Sequence, residues 1–297
     1  MKCDLCPRKC LVDRKKGEKG ICGQTENLKV ARAALHFWEE PCISGDAGSG
    51  AVFFSGCPLH CVFCQNENIA NGTVGKEISL ERLVDIFLEL QEKRANNINL
   101  VTPGHFVPQI VKALDQARRE GLTLPVVYNT SSYETVDTIK MLEGYVDIYL
   151  PDFKYMSPVL SKKYSHAPDY AEVAKAAIAE MVRQTGKAVF VNGDEDNLIL
   201  SGTIVRHLTL PGCMADSMQI LKYLHDTYGD MIYISIMNQF TPLSNLEKYP
   251  ELNRRITDEE YETLVDYAID IGIENGFIQE GDTAEESFIP AFDCEGV

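Results

Sequence analysis

The chain has 297 residues, of which 45% are hydrophobic and 24% charged, which is typical of a globular protein and not of a largely disordered one. Its formal net charge of −16 excludes nucleic acid as an expected partner, because an acidic surface repels phosphate. No apolar run approaches the roughly 20 residues that span a bilayer, and no signal-peptide core follows the first methionine. We therefore expect a cytoplasmic protein without a membrane partner.

The first 50 residues contain five of the ten cysteines. Four of these, Cys3, Cys6, Cys10 and Cys22, have the spacing C-x2-C-x3-C-x11-C. In a cytosolic protein such spacing indicates a metal site rather than disulfides. Four thiolates could close a zinc site or hold an auxiliary Fe–S cluster, and the spacing does not separate the two. We predict that residues 1–50 form an irregular, Cys-rich metal-binding module and that residues 51–297 form a second domain.

From residue 51 onward, strand-like and helix-like segments alternate along the chain. Six short apolar runs predict strands at 51–55, 98–102, 124–129, 146–150, 203–210 and 231–236, with an extra β excursion at 188–200. The amphipathic segments between them predict helices near 79–92, 108–120, 134–142, 169–185, 214–228 and 257–271.

Six strand–helix units in series predict an α/β fold with a parallel sheet and right-handed crossovers. Six units are too few for an eight-stranded barrel, so a partial barrel and a doubly wound sheet are both allowed. In either architecture the active site lies at the carboxyl ends of the strands.

The first predicted strand leads directly into Cys57, Cys61 and Cys64, spaced C-x3-C-x2-C. A [4Fe–4S] cluster normally takes four cysteines, one for each iron, so three cysteines leave one iron open to an outside ligand. An open position distinguishes a catalytic metal centre from a closed structural one. The alternative is a zinc loop in which His60 supplies the fourth ligand.

Residues 51–66, with Phe63 before the third cysteine, resemble the cluster loop of radical S-adenosylmethionine (SAM) enzymes. The similarity covers about residues 51–240 and extends to glycyl-radical-enzyme activating proteins. It is greatest for the pyruvate formate-lyase-activating-enzyme-like Fe–S proteins, an uncharacterised branch. The other segments that carry it are VTPGH at 101–105, LPDFK at 150–154, VRHLTLPG at 205–212 and NQF at 238–240.

This resemblance implies a partial (βα)6 TIM-like barrel with a [4Fe–4S] cluster on the three cysteines and SAM at the open iron. It also implies that Phe63 and Thr102 lie at the cofactor. Thr102 begins the segment that stands where activating enzymes have Gly-Gly-Glu against the SAM amino group, and this chain has no acid there.

The resemblance places four more residues around the SAM carboxylate. Asn129 and Thr130 occupy the place of an Asp-Thr pair, and Asp152 and Lys154 match an Asp-x-Lys pattern. A solvated ion pair is the alternative for Asp152 and Lys154. Arg206 interrupts an apolar strand, which is costly unless it is paired, so we expect it to face the ligand cavity. A structural hydrogen-bonding role is the alternative for Arg206.

The resemblance implies an oxidoreductase that reductively cleaves SAM to a 5′-deoxyadenosyl radical, with electrons from a donor such as flavodoxin or ferredoxin. The leading hypothesis is an activase that abstracts hydrogen from a glycyl radical enzyme. The second is modification of another peptide or of a small molecule, which the N-terminal four-cysteine module favours. The third, of another class, is a non-catalytic Fe–S or zinc binding protein.

Overall fold

The computed structural model describes residues 2–195, 197–243, 246–279 and 290–297. The strands are β1 (Leu28–His36), β2 (Ser49–Phe54), β3 (Lys76–Ile78), β4 (Ile98–Val101), β5 (Val126–Thr130), β6 (Ile148–Pro151), β7 (Val189–Phe190), β8 (Ile199–Leu208), β9 (Tyr233–Met237) and β10 (Gly276–Ile278). The α-helices are α1 (Pro41–Ser44), α2 (Glu67–Ala70), α3 (Leu80–Glu92), α4 (Val107–Arg119), α5 (Val136–Lys140), α6 (Pro158–Ser165), α7 (Tyr170–Thr185), α8 (Met214–Tyr228) and α9 (Asp258–Asp270).

The strands form one sheet in the order β10-β9-β8-β6-β5-β4-β2-β1-β3, and β7 pairs with β8 off this path. From β2 to β10 all neighbours on the path are parallel. The predicted α/β fold with a parallel sheet is therefore confirmed. The parallel strands follow one another in chain order without the reversal that defines a doubly wound sheet, so the architecture is the partial TIM-like barrel.

Each of the six predicted strands has a counterpart, in β2, β4, β5, β6, β8 and β9. The excursion predicted at 188–200 is also present, because β7 pairs antiparallel with the start of β8. The structure adds a seventh parallel strand, β10, which pairs with β9. Three residues that begin with glycine give no apolar run, so neither length nor periodicity indicated this strand.

Residues 28–36 form a strand of the main sheet. The sequence predicts an irregular module over residues 1–50, so this strand was not predicted. Strand β1 pairs antiparallel with β2, with Ala33 opposite Val52. Pairing with a buried neighbour decides this segment, because its own pattern of small and charged residues does not. Strand β2 begins at Ser49, just before the predicted division at residue 50. The division into residues 1–50 and 51–297 stays a prediction.

Helices α3 and α4 pack on the outer face of the sheet and leave its other face for the site. Ser79 caps α3, its hydroxyl accepting a hydrogen bond from Arg82 N at 3.1 Å. The helices share one core with Phe54 of β2 and Leu100 of β4. Because strand side chains alternate, the neighbouring residues Phe53 and Val101 face the opposite side. In the part of the chain that the structure describes, no helix has the length and apolarity needed to cross a membrane.

Candidate active site

Side chains at the carboxyl ends of the parallel strands line a cavity of about 500 Å³. This volume lies in the usual range for cofactor sites. All ten residues predicted to hold the first cluster or SAM line this cavity, namely Cys57, Cys61, Phe63, Cys64, Thr102, Asn129, Thr130, Asp152, Lys154 and Arg206. They come from five successive strand ends, which parallel order brings to one edge of the sheet.

The three cysteines of the cluster loop lie together directly after β2. Burial and the charge of Cys61 raise the pKa of Cys57 to about 11. Burial and the charges of Cys61 and Cys57 raise the pKa of Cys64 to about 12. The Ser165 hydroxyl donates a hydrogen bond to Cys61 Sγ at 3.1 Å. Thiols so close together keep their protons until a metal binds, and binding then releases those protons.

The donor set fits a cluster better than a single ion. Among the described residues, no three His, Cys, Asp or Glu side chains converge closely enough to hold one metal ion. A cluster needs no such convergence, because each thiolate binds a different iron. Both ring nitrogens of His60 have partners elsewhere: Nε2 lies 2.7 Å from Ile21 O and Nδ1 lies 3.3 Å from Asn71 Oδ1. The zinc-loop alternative with His60 as a ligand is therefore not supported by the geometry.

Phe63 anchors the cluster loop through aromatic contacts. Its ring meets those of Tyr155 and Tyr164 edge-on, each at 6.4 Å between centroids, and that of Phe240 at 6.0 Å. Such contacts stabilise beyond the area that they bury. The loop is thereby held against α6 and the segment after β9, which fixes the position of Cys64 beside the cavity. A direct contact of Phe63 with SAM stays a prediction.

A network of charged side chains forms one wall of the cavity. Arg206 donates from Nε to Asp152 Oδ1 at 3.0 Å, from Nη1 to Glu39 Oε2 at 3.0 Å and from Nη2 to Asn129 Oδ1 at 2.7 Å. Lys154 Nζ donates to Asp152 Oδ2 at 2.7 Å. The side chains of Asp152 and Lys154 are only 14% and 16% exposed. Asp152 and Lys154 therefore do form an ion pair, but the pair lines the cavity and is not a solvated surface pair.

The pKa shifts show that this wall remains charged. Burial alone would raise the pKa of Asp152, but the charges of Lys154 and Arg206 outweigh burial and lower it. Burial would lower the pKa of Lys154, but Asp152 outweighs it and raises that pKa. Arg206 pairs with two carboxylates, Glu39 and Asp152, whereas Lys154 pairs with Asp152 alone. Lys154 is thus better placed than Arg206 to meet a ligand carboxylate.

Glu39 is the wall residue that sequence reasoning missed. Its Oε1 accepts from Asn99 Nδ2 at 3.0 Å and from Asn129 Nδ2 at 3.1 Å, while Oε2 accepts from Arg206. Asn129 therefore holds Glu39 and Arg206 together through both ends of its amide. The only sequence signal was two adjacent glutamates between an apolar run and Pro41, which is as typical of a surface loop.

The segment that begins at Thr102 has an acidic neighbour from another loop. Thr102 adopts the left-handed region at φ 56° and donates its N–H to Asn129 O at 2.9 Å. A Cβ on Gly104 would lie 2.8 Å from Glu134 Oε1, so the carboxyl packs directly on this segment. Glu134 also accepts a hydrogen bond from the Thr130 hydroxyl. Burial raises the pKa of Glu134 to about 7.

The N-terminal cysteines lie near one another and dock on the cluster loop. Burial, and then the charges of Cys22, Cys10 and Cys3, raise the pKa of Cys6 to about 12. Arg8 donates to Pro58 O at 2.9 Å, to Ser165 O at 2.9 Å and to His166 O at 2.6 Å. Ser165 is also the residue that bonds Cys61 Sγ. The N-terminal segment thus buttresses the loop that carries the three cysteines.

A parallel partial barrel with three cysteines after its first parallel strand, facing a polar cavity, is the arrangement expected of an enzyme that holds an Fe–S cluster with one open iron. The sequence model of the Radical SAM superfamily matches residues 51–197, which include the cluster loop, Asp152 and Lys154. Residues 51–197 of the chain therefore carry a radical SAM domain. Its cofactors are a [4Fe–4S] cluster and SAM.

Comparison with individual proteins agrees with this assignment. The Uncharacterized protein MJ0674 of Methanocaldococcus jannaschii is 27% identical over 275 residues, which are 90% of this chain and 74% of that protein. The fold resembles Streptococcus suis SuiB bound to S-adenosylmethionine, with a TM-score of 0.52 and 13% identity over 80% of this chain and 51% of SuiB. It also resembles HydG, a maturase of the [FeFe]-hydrogenase, with a TM-score of 0.51 and 15% identity over 78% of this chain and 52% of HydG. The chain therefore spans about half the length of these two structures, and the likeness concerns the fold.

Proposed function

We propose that this chain holds a [4Fe–4S] cluster on Cys57, Cys61 and Cys64 and uses it to cleave SAM reductively. The supporting observation is that these three thiols open onto the same cavity as the charged wall. The bound cluster would supply one electron to SAM and so generate the 5′-deoxyadenosyl radical. The electron would come from a low-potential donor such as flavodoxin or ferredoxin, consistent with the expected cytoplasmic location.

The residues of the cavity would position SAM for this step. Lys154 would pair with the SAM carboxylate, since its ammonium pairs with Asp152 alone, which holds it in place. Glu39 and Arg206 would keep the wall rigid, so that SAM meets fixed charges and not mobile ones. Phe63 would keep Cys64 at a fixed position relative to Cys57 and Cys61. Thr102 and Thr130, at the ends of the neighbouring strands β4 and β5, would contribute hydroxyl groups.

The decisive experiment is anaerobic reconstitution with iron and sulfide, followed by dithionite and SAM. We expect 5′-deoxyadenosine from the wild-type protein and none from the triple variant Cys57→Ala, Cys61→Ala and Cys64→Ala. Cys213→Ala, which changes a cysteine that does not line the cavity, serves as the matched control. A protein that binds four irons at this loop and still leaves SAM intact would contradict the proposal and favour a non-catalytic Fe–S protein.

We further propose that the substrate is a glycine Cα in a partner protein, as in glycyl-radical activation. The support is the sequence resemblance over residues 51–240. The test mixes reduced protein, SAM and a glycyl radical enzyme, with the glycyl EPR doublet as the readout. No doublet with any partner, while SAM is still cleaved, would favour modification of another peptide or a small molecule. SuiB, one of the proteins of similar fold, is known in complex with its precursor peptide SuiA.

The closeness of Cys6 to Cys3, Cys10 and Cys22 supports a second metal centre, and because no three described donors converge on one point, an Fe–S cluster is favoured over zinc. Cys10 Sγ also accepts a hydrogen bond from Ile21 N at 3.3 Å, which is typical of a thiolate ligand loop. We expect metal to remain in the anaerobic Cys57/Cys61/Cys64 triple variant, and elemental analysis identifies it as iron or zinc. Proportional loss of both metals in that variant would contradict a second centre.

A further inference from the structure

Glu40 lies beside the charged wall and contributes to the cavity lining. Its side chain is buried, with 8% of the residue exposed. The Ser235 side chain lies close to its carboxyl group. One carboxyl oxygen, Oε2, is buried without a partner. Within the described ranges, Oε2 is the sole atom of this kind that belongs to a cavity-lining side chain. A buried polar atom without a partner is unfavourable, so a missing ligand group is the natural explanation.

The charges around Glu40 are already balanced without it. Glu39 and Asp152 supply two carboxylates, and Arg206 and Lys154 supply two cations, all joined by hydrogen bonds. An ionised Glu40 would add a third carboxylate next to Glu39. Burial raises the pKa of Glu40, Arg206 lowers it and Glu39 raises it again, with a net increase. Because the neighbouring carboxylates and cations are already paired, the neutral carboxylic acid is the form that adds no uncompensated charge to this site.

A neutral carboxylic acid presents one donor and one acceptor side by side. An amide group presents the complementary pair, a C=O acceptor and an N–H donor. The cations and carboxylates beside Glu40 are already paired with one another, so they leave no uncompensated charge for a charged ligand group. The nearby lining includes Met237 and Phe277, which suit a neutral group.

We propose that Glu40 binds an amide group of the substrate, the peptide bond of a protein or peptide chain, through its unpartnered oxygen. This inference rests on the proposed function, because it places the substrate of the radical reaction in this cavity. Glu40 would thus select peptide substrates and hold them within reach of SAM.

The chain's single tryptophan, Trp38, also lines the cavity and gives a direct readout of occupancy. The probe is N-acetylglycine N-methylamide, a neutral diamide, titrated into reconstituted full-length protein saturated with SAM. Glycine N-methylamide, in which an ammonium replaces one amide, is the comparison probe. We expect a saturable change of Trp38 fluorescence with the diamide and a weaker response with the ammonium compound.

Two substitutions at Glu40 test its role. Glu40→Ala should weaken binding of the diamide about tenfold, as expected for the loss of hydrogen bonds in a buried site. Glu40→Gln keeps a donor and an acceptor and should stay within about threefold of the wild type. Glu180, a buried glutamate of α7 that does not line the cavity, provides the matched controls Glu180→Ala and Glu180→Gln, which should bind as the wild type does.

Three results would overturn the proposal: no saturable response to the diamide, an unchanged affinity in Glu40→Ala, or tighter binding of the ammonium probe that Glu40→Gln abolishes. The last would make Glu40 an anionic site for a cation. Wild-type SAM cleavage is measured separately and needs no probe. A protein that cleaves SAM but ignores the diamide overturns this inference alone. One that binds the diamide without cleaving SAM overturns the proposed function, and with it the assignment of that amide as a radical substrate, but keeps Glu40 as an amide-binding residue.

Discussion

Arg206 donates hydrogen bonds to three other side chains of the charged wall. It joins Glu39, Asn129 and Asp152, and its own side chain is 13% exposed. The sequence predicts that an arginine in an apolar strand must find partners, but it does not reveal which ones. Glu39 precedes Arg206 by 167 positions, so only folding brings the two together. His207, on the opposite face, bonds Phe153 O and the Ser217 hydroxyl instead.

Replacing Arg206 by methionine should be strongly destabilising. The substitution leaves Glu39 and Asp152 buried without their shared cation, which typically costs about 3–5 kcal/mol. Urea unfolding measures the change. Adding Glu39→Gln to Arg206→Met should recover part of the lost stability, because it removes one of the two buried carboxylates that Arg206 neutralises.

The control is Arg119→Met, which breaks an exposed pair with Asp115 on α4. Such a surface pair contributes less than about 1 kcal/mol. Equal effects of the two arginine substitutions would show that the Arg206 network does not carry the stability assigned to it.

The start of a capped helix was easier to predict from the sequence than the existence and length of a short helix. A capping box of Thr257 and Glu260, with both reciprocal hydrogen bonds, begins α9 where the predicted helix starts. Such caps are encoded within four residues, so the sequence is enough. The predicted helix at 134–142 is reduced to α5, Val136–Lys140, and α6 was not predicted. Short helices depend on packing more than on their own propensity.

Thr257→Ala should destabilise the protein by about 1 kcal/mol, because it removes the side-chain acceptor for Glu260 N. The matched control is Thr263→Ala in the interior of α9, where alanine has the higher helix propensity and should be neutral or slightly stabilising. Chemical denaturation of both variants provides the comparison. A Thr257→Ala protein as stable as the wild type would mean that the cap adds nothing in this fold.

The N-terminal segment and the cluster loop should be mechanically coupled through Arg8. Arg8→Ala removes three hydrogen bonds to Pro58, Ser165 and His166, so we expect faster amide exchange in residues 2–27 and severalfold faster release of iron to a chelator. Lys19→Ala, an exposed change in the same segment, is the control and should behave as the wild type. If iron is released equally fast from all three proteins, the contact does not support the loop.

The fold as a whole buries two neutral histidines. Burial lowers the pKa of His207 to about 4 and that of His105 to about 3. His105 Nε2 lies 2.7 Å from Ser55 O, in the turn that leads to the cluster loop. In the unfolded chain both rings would take up protons near pH 6.5, whereas the folded protein keeps them neutral to much lower pH.

Stability should therefore fall as the pH drops below 6.5, since the unfolded state then binds more protons. Between pH 7 and pH 5 each histidine should contribute a loss of about 2 kcal/mol. His207→Gln should show a decrease smaller by that amount than the wild type, in unfolding curves at the two pH values. Comparison under identical conditions cancels the contributions of carboxylates and thiols. His225→Gln, which changes a partly exposed histidine of α8, should follow the wild type, and an identical decrease in the His207 variant would contradict this prediction.

The sequence alone determined the features that are encoded over a few adjacent residues. The three cysteines share one loop because only six residues separate Cys57 from Cys64, and the strand–helix periodicity was enough to predict the parallel sheet. Tertiary structure alone decided the pairing of β1 with β2, the hydrogen bonds that occupy His60, and the positions of Glu39 and Glu40 in the cavity. These depend on contacts between distant segments, and local patterns do not encode which distant side chains will neutralise a buried charge.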